Sequence, residues 1–229
     1  MKPHRWDISP AQAVSLQKKL ARLIRVQPIA GQVALIAGAD CAFLAGGSKV
    51  LAAAVLCDAR SLAVVESAYE VADCLMPYVP GLLSFREAPA VLAAIARLKR
   101  RPDLLMCDGQ GLAHPRGLGL ASHVGLLLGL PTIGVAKSRL CGEHRPPGTR
   151  RGCRTQLRLH GRTIGAVVRT RTGVRPLYVS VGHLVTLDEA VRWTLRCSRS
   201  ARLPEPNRRA HVLVSAMKSS LPIARGPLF

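Results

Sequence analysis

The block "DLLMCDGQGLAHPRGLGLASHVGLLLGLPTIGVAK", Asp103 to Lys137, restricts the fold more than any other part of the chain. Leu104 to Cys107 form an apolar run of strand length. A Gly-rich but apolar stretch over about 117–129 reads as a helix, and "TIGVAK" (132–137) as a second strand. A helix joining two apolar strands makes a parallel βαβ unit with a right-handed crossover. The first strand runs into a carboxylate, Asp108, with Gly109 next to it. Asp108 is therefore either a turn opener or a charge held for chemistry.

The flanking segments fill in the layout. Ser9-Pro10 followed by "AQAVSLQKKLARLI" is an N-cap, a proline at the first helical position and a helix over about 10–24. Three β-like runs follow at 33–43, 49–58 and 62–71, separated by loops short enough for an antiparallel meander. "APAVLAAIARLKRR" is helical, starting near Pro89, with basic residues at the end where the helix dipole favours them. Residues 141–160 are polar, basic and turn-rich, which predicts an exposed excursion. Two more strands are expected at 162–170 and 176–183, then helices within about 187–218. The fold expected is α/β, one domain over residues 1–229, with a mixed central sheet (antiparallel meander plus parallel βαβ strands) flanked by helices.

Charge narrows the partner. The chain has 33 Lys and Arg against 13 Asp and Glu, a formal +20. That lies well beyond the roughly 2–8 charges a small domain needs for solubility. It favours a polyanion, since each phosphate neutralised releases condensed counterions. Nucleic acid is the expected partner and a membrane is not: the longest apolar stretch, from Val124, is too short to span a bilayer and contains Pro131. Seven cysteines, an odd count with no C-x-x-C pair, argue against a disulfide framework or a cysteine zinc site. With no apolar signal segment near the N-terminus, a cytoplasmic monomer is expected.

With so few acids, those in apolar surroundings stand out. Asp40 lies mid-run in "LIAGADCAF". A lone buried carboxylate is costly unless it is paired, hydrogen-bonded or metal-bound, so Asp40 is either salt-bridged to an arginine or a ligand. "SFRE" fits a capping box with Ser84 as N-cap and Glu87 as its partner. Pro89 would then break a backbone bond inside the helix, which moves the expected start toward Pro89 and frees Glu87. Three carboxylates at one sheet edge would suit Mg²⁺, with Mn²⁺ tolerated. Lys137 ends the second parallel strand, so the two strand ends would bring it to Asp108. A lysine there is either simply solvated or a cation that steadies phosphate charge. In "PYVP" (77–80), Tyr78 sits in a proline-braced loop. It either packs back onto the core or serves as a wedge that fills the gap of a displaced base.

Taken together, "IAGADCAF", "YVPGLLSFREAP", the 103–140 block and "RLPEPNRRAH" resemble the endonuclease V family, in the same order from about Val33 to His211. The resemblance implies a ribonuclease H-like fold and Mg²⁺-dependent cleavage of DNA at the second phosphodiester bond 3′ to a deoxyinosine, leaving 3′-hydroxyl and 5′-phosphate ends. It implies that Asp40, Glu87 and Asp108 hold the metal and that Lys137 is the active-site lysine. Pro77, Tyr78, Val79 and Pro80 fall on the wedge loop. Gly109, Gln110 and Gly111 fall on the pocket for the flipped base, and Arg86, His114 and His211 on positions near the site. Ala88 and "VGHLV" (181–185) depart from the family pattern but spare the four catalytic positions. The basic run 145–158 is not a family signature; it is either extra phosphate contact or surface peculiar to this chain. Inosine-containing RNA or another distorted structure is the alternative substrate. A pure nucleic-acid binder would have no use for the Asp40, Glu87, Asp108 and Lys137 set.

Overall fold

The computed structural model describes residues 4–221, so the ends of the expected 1–229 domain, 1–3 and 222–229, lie outside the described residues. The described residues form five α-helices, a short 3-10 turn (Ala45–Gly47) and eight strands. The antiparallel meander is β1 (Leu35–Leu44), β2 (Lys49–Asp58) and β3 (Val64–Asp73). The parallel block is β4 (Leu104–Cys107), α3 (Leu120–Leu128) and β5 (Thr132–Ala136). All eight strands form one sheet in the order β3-β2-β1-β4-β5-β8-β7-β6. Among the described residues the neighbouring pairs β1–β4 and β4–β5, at the centre, are parallel and the other neighbouring pairs antiparallel. The expected mixed sheet flanked by helices is present.

Alternation along the central strands sends side chains to opposite faces. Ala37, Ala39, Leu105 and Cys107 face α2 (Leu83–Ala96) and α3, packing with Ala88, Val91, Ala94 and Val124. Ile36, Leu104, Met106 and Ile133 face the other side, with Ala190 and Val191 of α4 (Leu187–Cys197). The last helix, α5 (Glu205–Ser220), lies on this second face of β1. Its approach requires a glycine: a Cβ on Gly38 would stand 2.1 Å from the Pro206 carbonyl carbon. Each fully buried Leu, Ile or Met contributes about 1.5–3 kcal/mol, so this two-sided core holds the sheet edge rigid.

Four expectations change. Helix α1 (Pro10–Ala21) begins as expected, with a capping box between Ser9 and Gln12, but ends at Ala21 rather than near 24. Helix α2 starts at Leu83, with Pro89 inside it, and Ser84 forms no cap. The Ser84 hydroxyl instead meets His123 Nδ1 at 3.1 Å. The basic run Lys99 to Arg101 lies beyond the helix, whose C-cap is Arg97; the Glu66 carboxylate accepts the backbone N–H of Lys99 at 2.7 Å. Finally, the excursion at 141–160 contains a strand. β6 (Arg154–Leu159) pairs antiparallel with β7 (Arg162–Val168), which pairs with β8 (Leu177–His183). The last helix starts at Glu205, within the stretch expected to be helical, with Pro206 in its first turn, where a missing N–H costs nothing.

Candidate active site

The parallel register of β1 and β4 pairs Gly38 with Met106 and Ala39 with Cys107. It continues one step further, as the Asp108 N–H donates to the Ala39 carbonyl at 3.0 Å. Asp40 and Asp108 therefore stand side by side. Asp40 shares a face with Gly38, toward α5, and its Oδ2 accepts from His211 Nδ1 at 2.7 Å. Its Oδ1 accepts the Cys41 N–H at 2.8 Å. Across the sheet, β4 pairs with β5 through Cys107 and Gly134. Lys137, one residue past β5, reaches back so that its ammonium donates to Asp108 Oδ2.

Glu87 enters from α2 and is 8% exposed. Burial, and then the charges of Asp40 and Asp108, push its carboxyl up to about 8; Arg86 pulls weakly the other way. Asp108 is also raised, by burial first and Asp40 second, against the opposing pull of Lys137. The Cys107 thiol beneath them is pushed up by burial and by Glu87 and Asp108. The upward shifts of Glu87 and Asp108, each caused by burial and then by a neighbouring carboxylate, place the three acids in one low-dielectric space with too little positive charge among them. Hard oxygens crowded in this way suit a small divalent cation. In the geometry described, Lys137 and His211 each hold one aspartate oxygen, and among the described residues no three His, Cys, Asp or Glu are drawn together into a ligand set. The fit to a cation thus rests on charge and donor chemistry.

The 77–80 loop joins β3 to α2. Tyr78 is 76% exposed, so it does not pack back onto the core. Val79 is half-buried against Met76, Leu82 and Phe85 and anchors the loop, while Pro77 and Pro80 are exposed. Arg86 supports Tyr78 from below, with its guanidinium 5.9 Å from that ring and 4.1 Å from the ring of Phe43. It also donates to Cys74 Sγ and to the Gly47 carbonyl.

Gly109, Gln110 and Gly111 follow Asp108 directly. Gly111 packs so close to β8 that a Cβ there would lie 2.0 Å from the Val181 oxygen, and its N–H donates to Ser180 Oγ at 2.8 Å. Gln110 is buried; its Nε2 donates to the Ser138 carbonyl at 3.0 Å, while its Oε1 is buried with no donor among the described residues. His114 is not brought to the carboxylates. Its Nδ1 accepts the Arg116 N–H at 3.1 Å, so Nε2 carries the proton and donates to the Gly81 carbonyl at 3.0 Å. Burial, assisted by Arg116, depresses its pKa to about 4, which keeps it neutral. His114 thus ties the 109–119 loop to the end of the Tyr78 loop.

Three contributors escaped the sequence reading. Arg202 donates to the Lys137 carbonyl at 2.9 Å and fixes the lysine's backbone. Asn207, buried under α5, donates to the Met106 carbonyl at 3.1 Å. Gln17 of α1 donates to the carbonyls of Gly81 and Leu118, bracing both loops. Arg202 and Asn207 lie within "RLPEPNRRAH", and that short polar run between two helices was the available signal. Gln17 sits on an ordinary amphipathic helix and gave none.

Residues 18–212 match the family profile of Endonuclease V. The Endonuclease V of Azotobacter vinelandii is 50% identical over 210 residues, 92% of this chain and 95% of that one. The crystal structure of Endonuclease V from Streptomyces avermitilis superposes with a TM-score of 0.89 at 42% identity, covering 95% of this chain and 97% of that one. Endonuclease V of Ciona intestinalis shares the fold, with a TM-score of 0.77 at 22% identity, over 92% of this chain and 97% of that one. With half its residues shared along almost its whole length, this chain belongs to the endonuclease V family of nucleases.

Proposed function

We propose that this protein is a DNA repair endonuclease that recognises deoxyinosine and hydrolyses the second phosphodiester bond 3′ to it. The products would carry 3′-hydroxyl and 5′-phosphate ends. One observation carries the reading: in a chain of this family, Asp40 and Asp108 stand side by side at the strand ends with Lys137 on Asp108, and their charges add to burial in raising the proton affinity of Glu87. The Ciona intestinalis relative supports the substrate, as it has been crystallised with a 23mer DNA containing an inosine followed by a ribo-adenosine. The +20 charge supports a nucleic-acid partner, and seven free cysteines fit a reducing compartment such as the cytoplasm.

Asp40, Glu87 and Asp108 would hold a divalent cation, Mg²⁺ or Mn²⁺. When bound, such an ion supplies Lewis-acid charge against the scissile phosphate and makes water a better nucleophile. The side chains prepare that step. Glu87, raised by burial and by Asp40 and Asp108, would regain its charged form next to a bound cation and could then serve as a ligand at neutral pH. The His211 Nδ1–H holds Asp40 Oδ2 from α5 while the Cys41 N–H holds Oδ1, which together fix the carboxylate's orientation. The Lys137 ammonium holds Asp108 and meets the charge that builds on the phosphate. Tyr78, rigid between prolines, would enter the duplex and occupy the gap left by an extruded base. Gly109 to Gly111 would line the receiving pocket. There Gln110 Oε1 offers an acceptor to the ring N–H that hypoxanthine carries and adenine lacks.

The ribo-adenosine after the inosine in the Ciona intestinalis complex favours a second reading, cleavage of inosine in RNA. Cleavage rates on matched DNA and RNA strands, each with one inosine and at equal salt, decide between them. A faster cut on DNA supports the first reading; a faster cut on RNA replaces it with the second.

A further inference from the structure

We infer that the groove beside β6 is a second nucleic-acid contact, a cradle for backbone phosphates about four nucleotides from the cutting centre. The inference rests on the nuclease reading above and extends it to a surface outside the motifs quoted from the sequence. Residues 138–175 hold ten arginines and a single acid, Glu143. Within them lies a groove of about 560 Å³ lined by Glu143, His144, Arg145, Thr155, Gln156 and Arg158.

Several of the ten arginines are spent on the fold. Arg169 donates to the carbonyls of Pro147, Gly148 and Val174, and Arg151 to those of Leu195 and Ser198. Arg145 is exposed and makes no side-chain bond among the described residues; its carbonyl is held by the Thr155 hydroxyl at 2.7 Å. Arg158 is exposed too, and Gln156 Oε1 accepts from its Nε at 2.9 Å, which leaves the terminal nitrogens for another acceptor. The walls are stiff. The backbones of Glu143 and Arg158 exchange hydrogen bonds at 2.7 and 2.9 Å, and Leu157, buried between the polar pair, packs with Ala113, Val167 and Tyr178. Guanidinium groups on a stiff frame suit phosphate, since their fork matches its oxygens.

The groove also connects to the site. Ala136, next to Lys137, pairs with Tyr178 on β8, and the Tyr178 hydroxyl lies 3.3 Å from His144 Nε2 in the groove wall. From β5 to β6 there are three strand spacings, about 14 Å at ~4.8 Å each. At the ~3.4 Å rise per nucleotide of a DNA strand, that is roughly four nucleotides.

The test is binding of a 30-base-pair duplex with one deoxyinosine, measured in EDTA across a salt series. The double variant Arg145→Gln/Arg158→Gln is compared with Lys18→Gln/Lys19→Gln, a charge-matched change on the exposed face of α1. The groove variant should bind about tenfold more weakly at ~0.1 M salt, with the log–log salt slope reduced by about 2, the release expected for two phosphates. Glu143→Gln should bind more tightly than the wild type. Equal losses in the two double variants would overturn the groove and leave only general charge. Because the readout is binding, it decides this point whether or not the protein cuts at inosine, and cleavage by the wild type reports separately on the proposed function.

Discussion

The Asp108 N–H donates to the carbonyl of Ala39 at 3.0 Å, one residue beyond the last paired position of β4. That bond sets the Asp108 side chain beside Asp40, on neighbouring parallel strands, at the carboxyl ends where open α/β sheets hold their sites. Asp40→Asn and Asp108→Asn keep the shape and remove the charge. Each should lower kcat on the order of 100- to 1000-fold, the loss typical of removing one preorganised charge-stabilising group. Binding of the inosine duplex should stay within a few fold, and near-normal turnover in either variant would remove it from the metal site.

Glu87 makes stability without metal depend on pH. Its folded pKa, about 8, is raised above the ordinary carboxylate value by burial and by Asp40 and Asp108. The folded state then binds a proton that the unfolded state has released, so stability is full below about pH 4.5 and is lost as pH rises toward 8. Thermal unfolding in EDTA should show Tm falling between pH 5 and 8 in the wild type. Glu87→Gln should flatten that fall; an unchanged slope would mean that Glu87 does not carry it.

Tyr78 separates stability from recognition. With 76% of its surface exposed, Tyr78→Ala should change stability by no more than about 0.5 kcal/mol. Cleavage at deoxyinosine should drop about tenfold or more, since one aromatic stack on nucleic acid is worth roughly 1–3 kcal/mol. A variant that cuts at the wild-type rate would leave the loop without a role in opening the duplex.

Gln110 tests the base pocket. The Ser138 carbonyl can only accept, so it fixes which end of the amide carries the nitrogen, and Oε1 is left without a donor. Gln110→Met keeps the length and removes the acceptor. Preference for deoxyinosine over deoxyadenosine in duplex binding should fall about tenfold, the value of one buried hydrogen bond of roughly 1–1.5 kcal/mol. Unchanged preference would move discrimination to other atoms.

The site was legible in the sequence wherever a charge interrupted an apolar run. Asp40 and Asp108 stand out because each interrupts an apolar run, although a salt bridge or a turn would also explain them, and the approach of Lys137 to Asp108 follows from the parallel pairing of β4 and β5. Helix α2 was less so, because Pro89 weighs against a helix locally while Ala88, Val91 and Ala94 pack across it onto the sheet and extend it back to Leu83. β6 was hidden for a related reason. Only Leu157 and Leu159 alternate among polar residues in that run, a bulge breaks its register at Leu157/Arg158, and on its outer side it has only the single bridge from Arg158 to Glu143 among the described residues. The partners of His114 and Gln17 are backbone carbonyls far along the chain, and no local pattern announces such bonds.

The most direct measurement is the position of the cut in an end-labelled duplex carrying one deoxyinosine, with purified protein in Mg²⁺ or in EDTA. The expected result is a single break at the second phosphodiester bond 3′ to the inosine, present with Mg²⁺, absent in EDTA and lost in Asp108→Asn. A break in EDTA, or equal breakage of an undamaged duplex, would contradict both the carboxylate site and the base pocket.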